Sequence, residues 1–330
     1  MAQQTEKLTA TSNIAQLDVF RPGRSLGSEA WGRLVRNRAS VLGMIIIGAF
    51  LFLAIFAPLI APHNPLEIHH GKGFLPPPFD QGSTAHQADP QFLLGTDTLG
   101  RDVLSRTIYG ARVSMLVGFL PALVIISMGT IVGMISGYSS GRVDNLLMRL
   151  TDVVYAFPDL LFFIIVMVSL RDTYIGELMN GLFLLFIALA IVNWVGIARL
   201  TRGQVLSLKQ KEFVEAARSI GVKDLRIMTK HILPNSLGPL IVASAFLVPN
   251  LIITEAILGY LGLGLRPATS LESFFVTSWG ALMLEGQTSI NAQPYILLAP
   301  AICVALVVLA FTFLGDGLRD ALDPRMRGTQ

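Results

Sequence analysis

The chain is predicted to be an all-α integral membrane protein with six transmembrane helices and cytoplasmic N- and C-termini. Three observations carry this. Hydrophobic residues make up 52% of the 330 positions and only 14% are charged, where soluble domains carry about a quarter; the surplus apolar surface needs lipid. The apolar residues gather into uninterrupted runs of membrane-crossing length. The cations lie between those runs, mostly on one side, which is the asymmetry that sets orientation in a bilayer.

Residues 1–39 form a polar N-terminal tail holding Lys7, Arg21, Arg24, Arg33, Arg36 and Arg38, without the short apolar core or cleavage site of a signal peptide. The first run, 40–61, is uncharged over 22 residues, about 33 Å of helix and enough to span. Residues 62–112 follow as an external loop. Pro62, Pro65, Pro76, Pro77 and Pro78 deny its first half a regular helix or central strand, because proline fixes φ and offers no N–H; an extended excursion is expected. A five-helix core then occupies 113–317, with spans at 113–137, 153–170, 181–197, 237–258 and 295–315 and a cytoplasmic segment at 201–236. Residues 318–330 are a cytoplasmic C-terminal tail. Pro121, Pro158 and Pro249 fall within spans, where proline is ordinary.

With the N-terminus inside, segments 1–39, 138–152, 198–236 and 316–330 hold 19 of the 25 Lys and Arg, which places both termini in the cytoplasm. Outside are Lys72, Arg101, Arg106, Arg112, Arg171 and Arg266. The last outer segment, 259–294, is punctuated by Gly259, Gly262, Gly264 and Pro267, and its mixed apolar stretch 274–284 is a candidate to re-enter the membrane under cover of protein. Cys303 lies inside an apolar run, so no intramolecular disulfide is possible and a buried inert thiol is expected.

Several function classes lack their chemistry. A phosphate-wrapping loop needs GxxxxGK[ST], whereas the one Gly-Lys, Gly71-Lys72, is followed by Gly73 in the proline-rich loop; the chain is not expected to hydrolyse ATP. An embedded enzyme needs a nucleophile and base, or a metal motif, at depth, and no such set of Ser, His, Asp or Cys is seen. His63, His69 and His70 lack the spaced partners of a metal site and read as solvated loop residues. No basic stripe with stacking aromatics points to nucleic acid. An ion-driven secondary transporter, the rival from another class, would place ionisable groups near midplane or show paired broken helices, and neither is seen.

The most informative stretch is 201–239, TRGQVLSLKQKEFVEAARSIGVKDLRIMTKHILPNSLGP. Phe213, Ala216, Ala217 and Ile220 recur at helical spacing, Gly221 interrupts, Asp224 caps a second helix, and Leu225, Met228 and Ile232 continue an apolar face until Pro234. A short helix pair with one apolar stripe must bury it, since helices of this length are marginal alone in water. Two coverings are open: a lipid headgroup layer met by the segment's cations, or another subunit.

Glu215, Ala216, Ala217, Gly221, Leu233 and Pro234 resemble, at fixed spacing, the signature of permeases in ATP-binding-cassette importers: Glu-Ala-Ala, three residues, Gly, nine residues, an aliphatic residue, any residue, Leu-Pro. His231 departs from it at the aliphatic position, as is common in the peptide and nickel branch. The stretch 94–114, LGTDTLGRDVLSRTIYGARVS, resembles the segment before the second span in dipeptide and oligopeptide permeases; DVVYAFPDLL, EAILGYLGLGL, SWG and LGDGLRDALDPR extend the likeness over most of 36–325. The stretch ATSLESFFVT at 268–277 looks several residues longer than is usual there.

That resemblance implies the type I importer permease fold, a multi-pass subunit of a prokaryotic inner (plasma) membrane. It implies that the helix pair sits in a cleft of an ATPase subunit and passes nucleotide-driven closure to the spans, with Glu215 and Gly221 the foremost contacts. It also implies partners: a second permease, one or two ATPase subunits, and an extracytoplasmic substrate-binding protein. ATP and magnesium belong to the ATPases, and no cofactor or metal is expected in this chain. Peptide is the expected substrate; nickel and oligosaccharide importers share the architecture.

Four acids and their neighbours complete the expectations. Asp97 and Asp102 with Arg101, Arg106 and Arg112 make a mixed-sign cluster at the membrane edge, either an interfacial anchor or a docking point for a partner. Asp159 and Glu255 are the acids closest to membrane depth, where a central charge costs roughly 2.5 to 3.5 kcal/mol. Each reads as an acid satisfied near a span end, the alternative placing Glu255 at an external gate facing the pathway.

Overall fold

The computed structural model describes residues 26–80, 87–266, 268, 270 and 273–323, and every regular element among them is helical. The first is α1 (Leu26–Arg36), an amphipathic helix inside the expected polar tail. Asn37 separates it from α2 (Arg38–Ile60): its side-chain oxygen accepts from the Ala39 and Ser40 N–H groups, and so caps the new helix. Pro58 lies inside α2 and has no N–H for the Ala54 carbonyl. Arg112 fills that vacancy from the next helix, its Nε 3.0 Å from the Ala54 oxygen.

The described residues of the loop that follows, 61–80 and 87–102, are held by turns and one isolated bridge, Thr96 to Asp102, in keeping with its prolines. Helix α3 (Val103–Tyr138) begins ten residues before the expected span because Asp102 caps it, accepting from the Leu104 and Ser105 N–H groups at 3.3 and 3.0 Å. Arg106 and Arg112 therefore stand on helix rather than loop.

The third span departs from expectation. In place of one helix over 153–170 there are an amphipathic α4 (Arg142–Tyr155) and an apolar α5 (Asp159–Leu170), bent by 76° at a break ending in Pro158. Twelve residues reach only about 18 Å, short of a hydrocarbon core of about 30 Å. Five helical stretches are long and apolar enough to cross alone (Arg38–Ile60, Val103–Tyr138, Tyr174–Leu208, Asp224–Tyr260 and Tyr295–Leu322), and there are six spans when the bent pair is one.

After a short α6 (Tyr174–Glu177) and a 3₁₀ turn, α7 (Leu182–Leu208) runs eleven residues past the expected end at 197. It is the most enclosed helix, with Leu185, Leu189 and Ala198 fully buried. Glycines let α3 approach it: a Cβ on Gly129 would lie 2.7 Å from the Ile197 Cβ, one on Gly133 2.6 Å from the Thr201 Cβ, and one on Gly137 2.7 Å from the Val205 Cβ. Small residues four apart permit this backbone-to-backbone packing in a membrane, where dispersion contacts rather than water expulsion hold helices together. The remaining elements are α8 (Glu212–Ser219), α9 (Asp224–Ile227), α10 (Leu233–Tyr260), α11 (Trp279–Thr288) and α12 (Tyr295–Leu322). Cys303 is partly buried in α12. The long stretch at 268–277 lies partly outside the described residues.

Candidate functional site

The candidate site is the helix pair α8–α9, and it is built onto the ends of α3 and α7. Lys209, just past α7, donates its Nζ to the Gly137 carbonyl at 2.9 Å. From there α8 turns Val214 and Ala217 inward, where they form a small core with Met134 and Val205. The helix ends in a Schellman cap: the Gly221 N–H donates to the Arg218 carbonyl (3.0 Å) and the Val222 N–H to the Ala217 carbonyl (3.1 Å). That geometry needs a left-handed residue, and Gly221 supplies it at φ 79°. Val222 then packs against the same core, closing the turn.

Helix α9 is tied back by Tyr138, the last residue of α3. Its hydroxyl donates to Asp224 Oδ1 at 2.5 Å and accepts from Arg218 Nη2 at 3.4 Å. Asp224 does not cap α9 as its sequence position suggests; Lys223 holds the cap position without a side-chain bond, and the Asp224 carboxylate serves Tyr138. Nor does Pro234 end the helix. Residues 224–260 are one helical stretch with a π turn at Met228–Ile232, the local widening that accommodates a proline ring and its missing N–H. Asn235 Nδ2 and the Ser236 hydroxyl donate to the His231 and Ile232 carbonyls (2.6 and 3.0 Å), re-satisfying the disturbed turn.

The single apolar stripe read from the sequence is in fact two faces. The inner one is Val214, Ala217, Ile227 and Ile232, all buried. The outer one is Phe213, Ile220 and Leu225, exposed to 41, 81 and 71%. Of the expected contact residues, Glu215, Ala216, Gly221 and Pro234 are exposed, His231 and Leu233 are half-buried, and Ala217 points inward. Periodicity alone shows which residues share a side, not which side the chain itself covers. Val214 and Ile227 are not legible as core because much of their covering, Met134 and Tyr138, lies far off in sequence.

Glu255 sits elsewhere. Its side chain is wholly buried between α10, α3 and α11; one carboxylate oxygen accepts from the Ser114 hydroxyl at 3.1 Å, and the other has no partner among the described residues. Ser114 also accepts from the Trp279 N–H, and Trp279 Nε1 donates to the Thr107 carbonyl. Within this chain Glu255 belongs to an interior joint of three helices. Among the described residues no group of His, Cys, Asp and Glu can hold a metal.

Over 66% of this chain and 96% of the other, the fold matches a chain of the inward-facing MetNI methionine ABC transporter, with a TM-score of 0.52 and 15% identity. It is the fold of an ABC importer permease. Residues 129–328 match the profile of the binding-protein-dependent transport system inner membrane component, and residues 25–77 that of the N-terminal transmembrane domain of oligopeptide transport permease C. The chain belongs to the binding-protein-dependent transport system inner membrane component family and is a multi-pass permease subunit. It is 40% identical over 305 residues to the oligopeptide transport system permease protein OppC of Haemophilus influenzae, covering 92% of this chain and 90% of that one. With the dipeptide transport system permease protein DppC of Bacillus subtilis it shares 38% over 310 residues, 94% and 89% of the two chains.

Proposed function

We propose that this chain is the non-catalytic, peptide-conducting permease of an ATP-binding-cassette importer, and that α8–α9 is its docking element for an ATPase subunit. Relatives that act on oligopeptides and dipeptides support the substrate class. In this reading a second permease completes the pathway, an extracytoplasmic binding protein delivers the peptide, and nucleotide chemistry stays on the ATPases. Both termini and the 201–236 segment then face the cytoplasm, as the Lys and Arg asymmetry favours.

The observation that carries the docking element is its outer face. Phe213, Ile220 and Leu225 are left uncovered by a turn whose inner face, cap and Tyr138 tether are all satisfied. Burying an Ile or Leu side chain fully is worth about 1.5 to 3 kcal/mol, so a rigid, uncovered pair of this kind is a surface awaiting a partner. Glu215, Ala216 and Gly221 lie on the same exposed side. The inner face in turn connects that surface to Met134 of α3 and Val205 of α7, so force applied at Ile220 is delivered to two spans.

Replacing Ile220 and Leu225 together by Lys tests this. Each lost burial is worth about 1.5 kcal/mol or more, and 1.4 kcal/mol is a factor of ten, so affinity for the ATPase should fall on the order of a hundredfold. Co-purification should be lost while membrane insertion is unchanged. Undiminished co-purification of the ATPases with this double variant would refute the assignment.

A further inference from the structure

The segment LGTDTLGRD and the charges after it have no part in the ATPase-facing site, yet they are tied together by many hydrogen bonds. Asp97 Oδ2 accepts from Arg101 Nε and from Arg106 Nη1, both at 2.6 Å. Glu285, on α11, accepts from Arg101 Nη2 at 3.0 Å and from Arg106 Nη1 and Nη2 at 2.5 and 2.9 Å. The four residues thus close a ring of alternating charge with no net charge. Asp97 is 1% and Arg106 3% exposed. Asp97 Oδ1 is spent inward as well, accepting the Leu99 and Arg101 N–H groups.

The ring turns its carboxylates and most of its guanidinium donors on one another, and the Arg106 Nε, which has no partner among the described residues, is itself buried; such a ring offers little to a docking partner and joins parts of its own chain. Here the parts are loop residues 62–80 and 87–102, the first turns of α3, and α11. The same three are joined again at other points. Trp279 at the start of α11 is bonded to Thr107 and Ser114 of α3, and a Cβ on Gly110 would meet its ring at 2.8 Å. Beyond the end of α11, Gln293 Nε2 donates to the Leu75 carbonyl at 2.8 Å and the Tyr295 hydroxyl to Asp80 at 3.0 Å. Helix α11 is therefore fixed at both ends, and the ring resists separation because Asp97 and Arg106 are enclosed and, once parted from their partners, would be left as charges out of water, even though the Glu285 side chain is 31% exposed.

We propose that Asp97, Arg101, Arg106 and Glu285 are positioning residues for transport: their ring makes loop residues 62–80 and 87–102, α11 and the start of α3 one rigid body that moves intact through the cycle. The alternation of access then occurs outside this block, between it and other spans or the second permease. This rests on the importer reading above.

The test uses the complete assembly reconstituted in lipid, with Cys303 replaced by Ala and spin labels placed at Leu99 and Gln287, two exposed positions on the loop and on α11. Pulsed electron double resonance measures their separation without nucleotide and after trapping with ATP and vanadate. The expected result is one distance distribution in both states; a shift larger than the width of that distribution overturns the proposal. Glu285→Gln supplies the second arm. It leaves two guanidinium groups facing one carboxylate, and it should broaden the distribution and lower uptake about tenfold or more, while Glu285→Asp recovers part of both. Unchanged uptake and unchanged width in Glu285→Gln would overturn the positioning role. Failure of the importer reading shows separately, as absence of ATP-dependent uptake in the unmodified assembly.

Discussion

Leucine at position 133 should force α3 and α7 apart and leave little folded protein. The reason is what surrounds the missing side chain. A Cβ on Gly133 would stand 2.6 Å from the Thr201 Cβ and 3.1 Å from the Arg202 backbone nitrogen, and neither can swing aside as the tip of a flexible side chain would. Gly129 and Gly137 make the same close approach one turn on either side, so relief at one point is resisted at the others. Overpacking a tight core costs typically 1 to 3 kcal/mol and more where backbone must move; a branched side chain against two helix backbones belongs at the upper end, on the order of 3 kcal/mol. Thermal unfolding in detergent reads this as a large fall in midpoint, with Gly133→Ala intermediate. At Gly196, on α7 itself, a Cβ would find nothing within 4 Å, and alanine there should be neutral or gain up to about 1 kcal/mol from helix propensity. Equal effects at 133 and 196 would show that the α3–α7 contact is not as described.

Gly221→Pro should abolish ATP-driven uptake while leaving the spans inserted. Proline holds φ near −65°, whereas the Schellman cap places this residue at φ 79°. The substitution also deletes the N–H that donates to the Arg218 carbonyl. Removing a required left-handed residue and a cap bond together disrupts the turn by about 3 kcal/mol or more, enough to melt a segment whose inner core is only a few side chains. The outer face would lose its fixed geometry, and ATP hydrolysis in the assembly would no longer be matched by uptake. Gly221→Ala meets no steric neighbour and suffers only the backbone penalty of about 1 kcal/mol, so it should retain partial coupling. Normal uptake in the proline variant would mean that the break at 221 carries no force.

The spans are legible in the apolar runs alone, because a chain must hide such runs in lipid wherever their ends fall. Their ends are less legible. Helix α3 starts at a polar capping residue, Asp102, and passes through charged turns that hydropathy discounts; the third span is broken by Pro158 although its composition is continuous. The Glu-Ala-Ala segment is recognisable from spacing, and Gly221 from its role as a break. What spacing cannot show is which apolar residues the chain covers for itself, since Val214 and Ile227 share their core with Met134 and Tyr138 from a distant segment. Glu285 is hidden for the same reason, its partners lying 179 and 184 residues away. A signal does exist for the α3–α7 contact: glycine at every fourth position from 129 to 137, a pattern that points to close helix packing in membranes.

Coupling of this kind requires the outer face of α8–α9 to be gripped by a separate ATPase. The most direct test places a photoreactive benzoylphenylalanine at Ile220 in intact membranes, with the same group at Ile131, an exposed position on α3, as the control. Capture of the ATPase subunit from 220 and not from 131 is the predicted result. Capture of lipid alone from 220, with the rest of the transporter present and assembled, would contradict it.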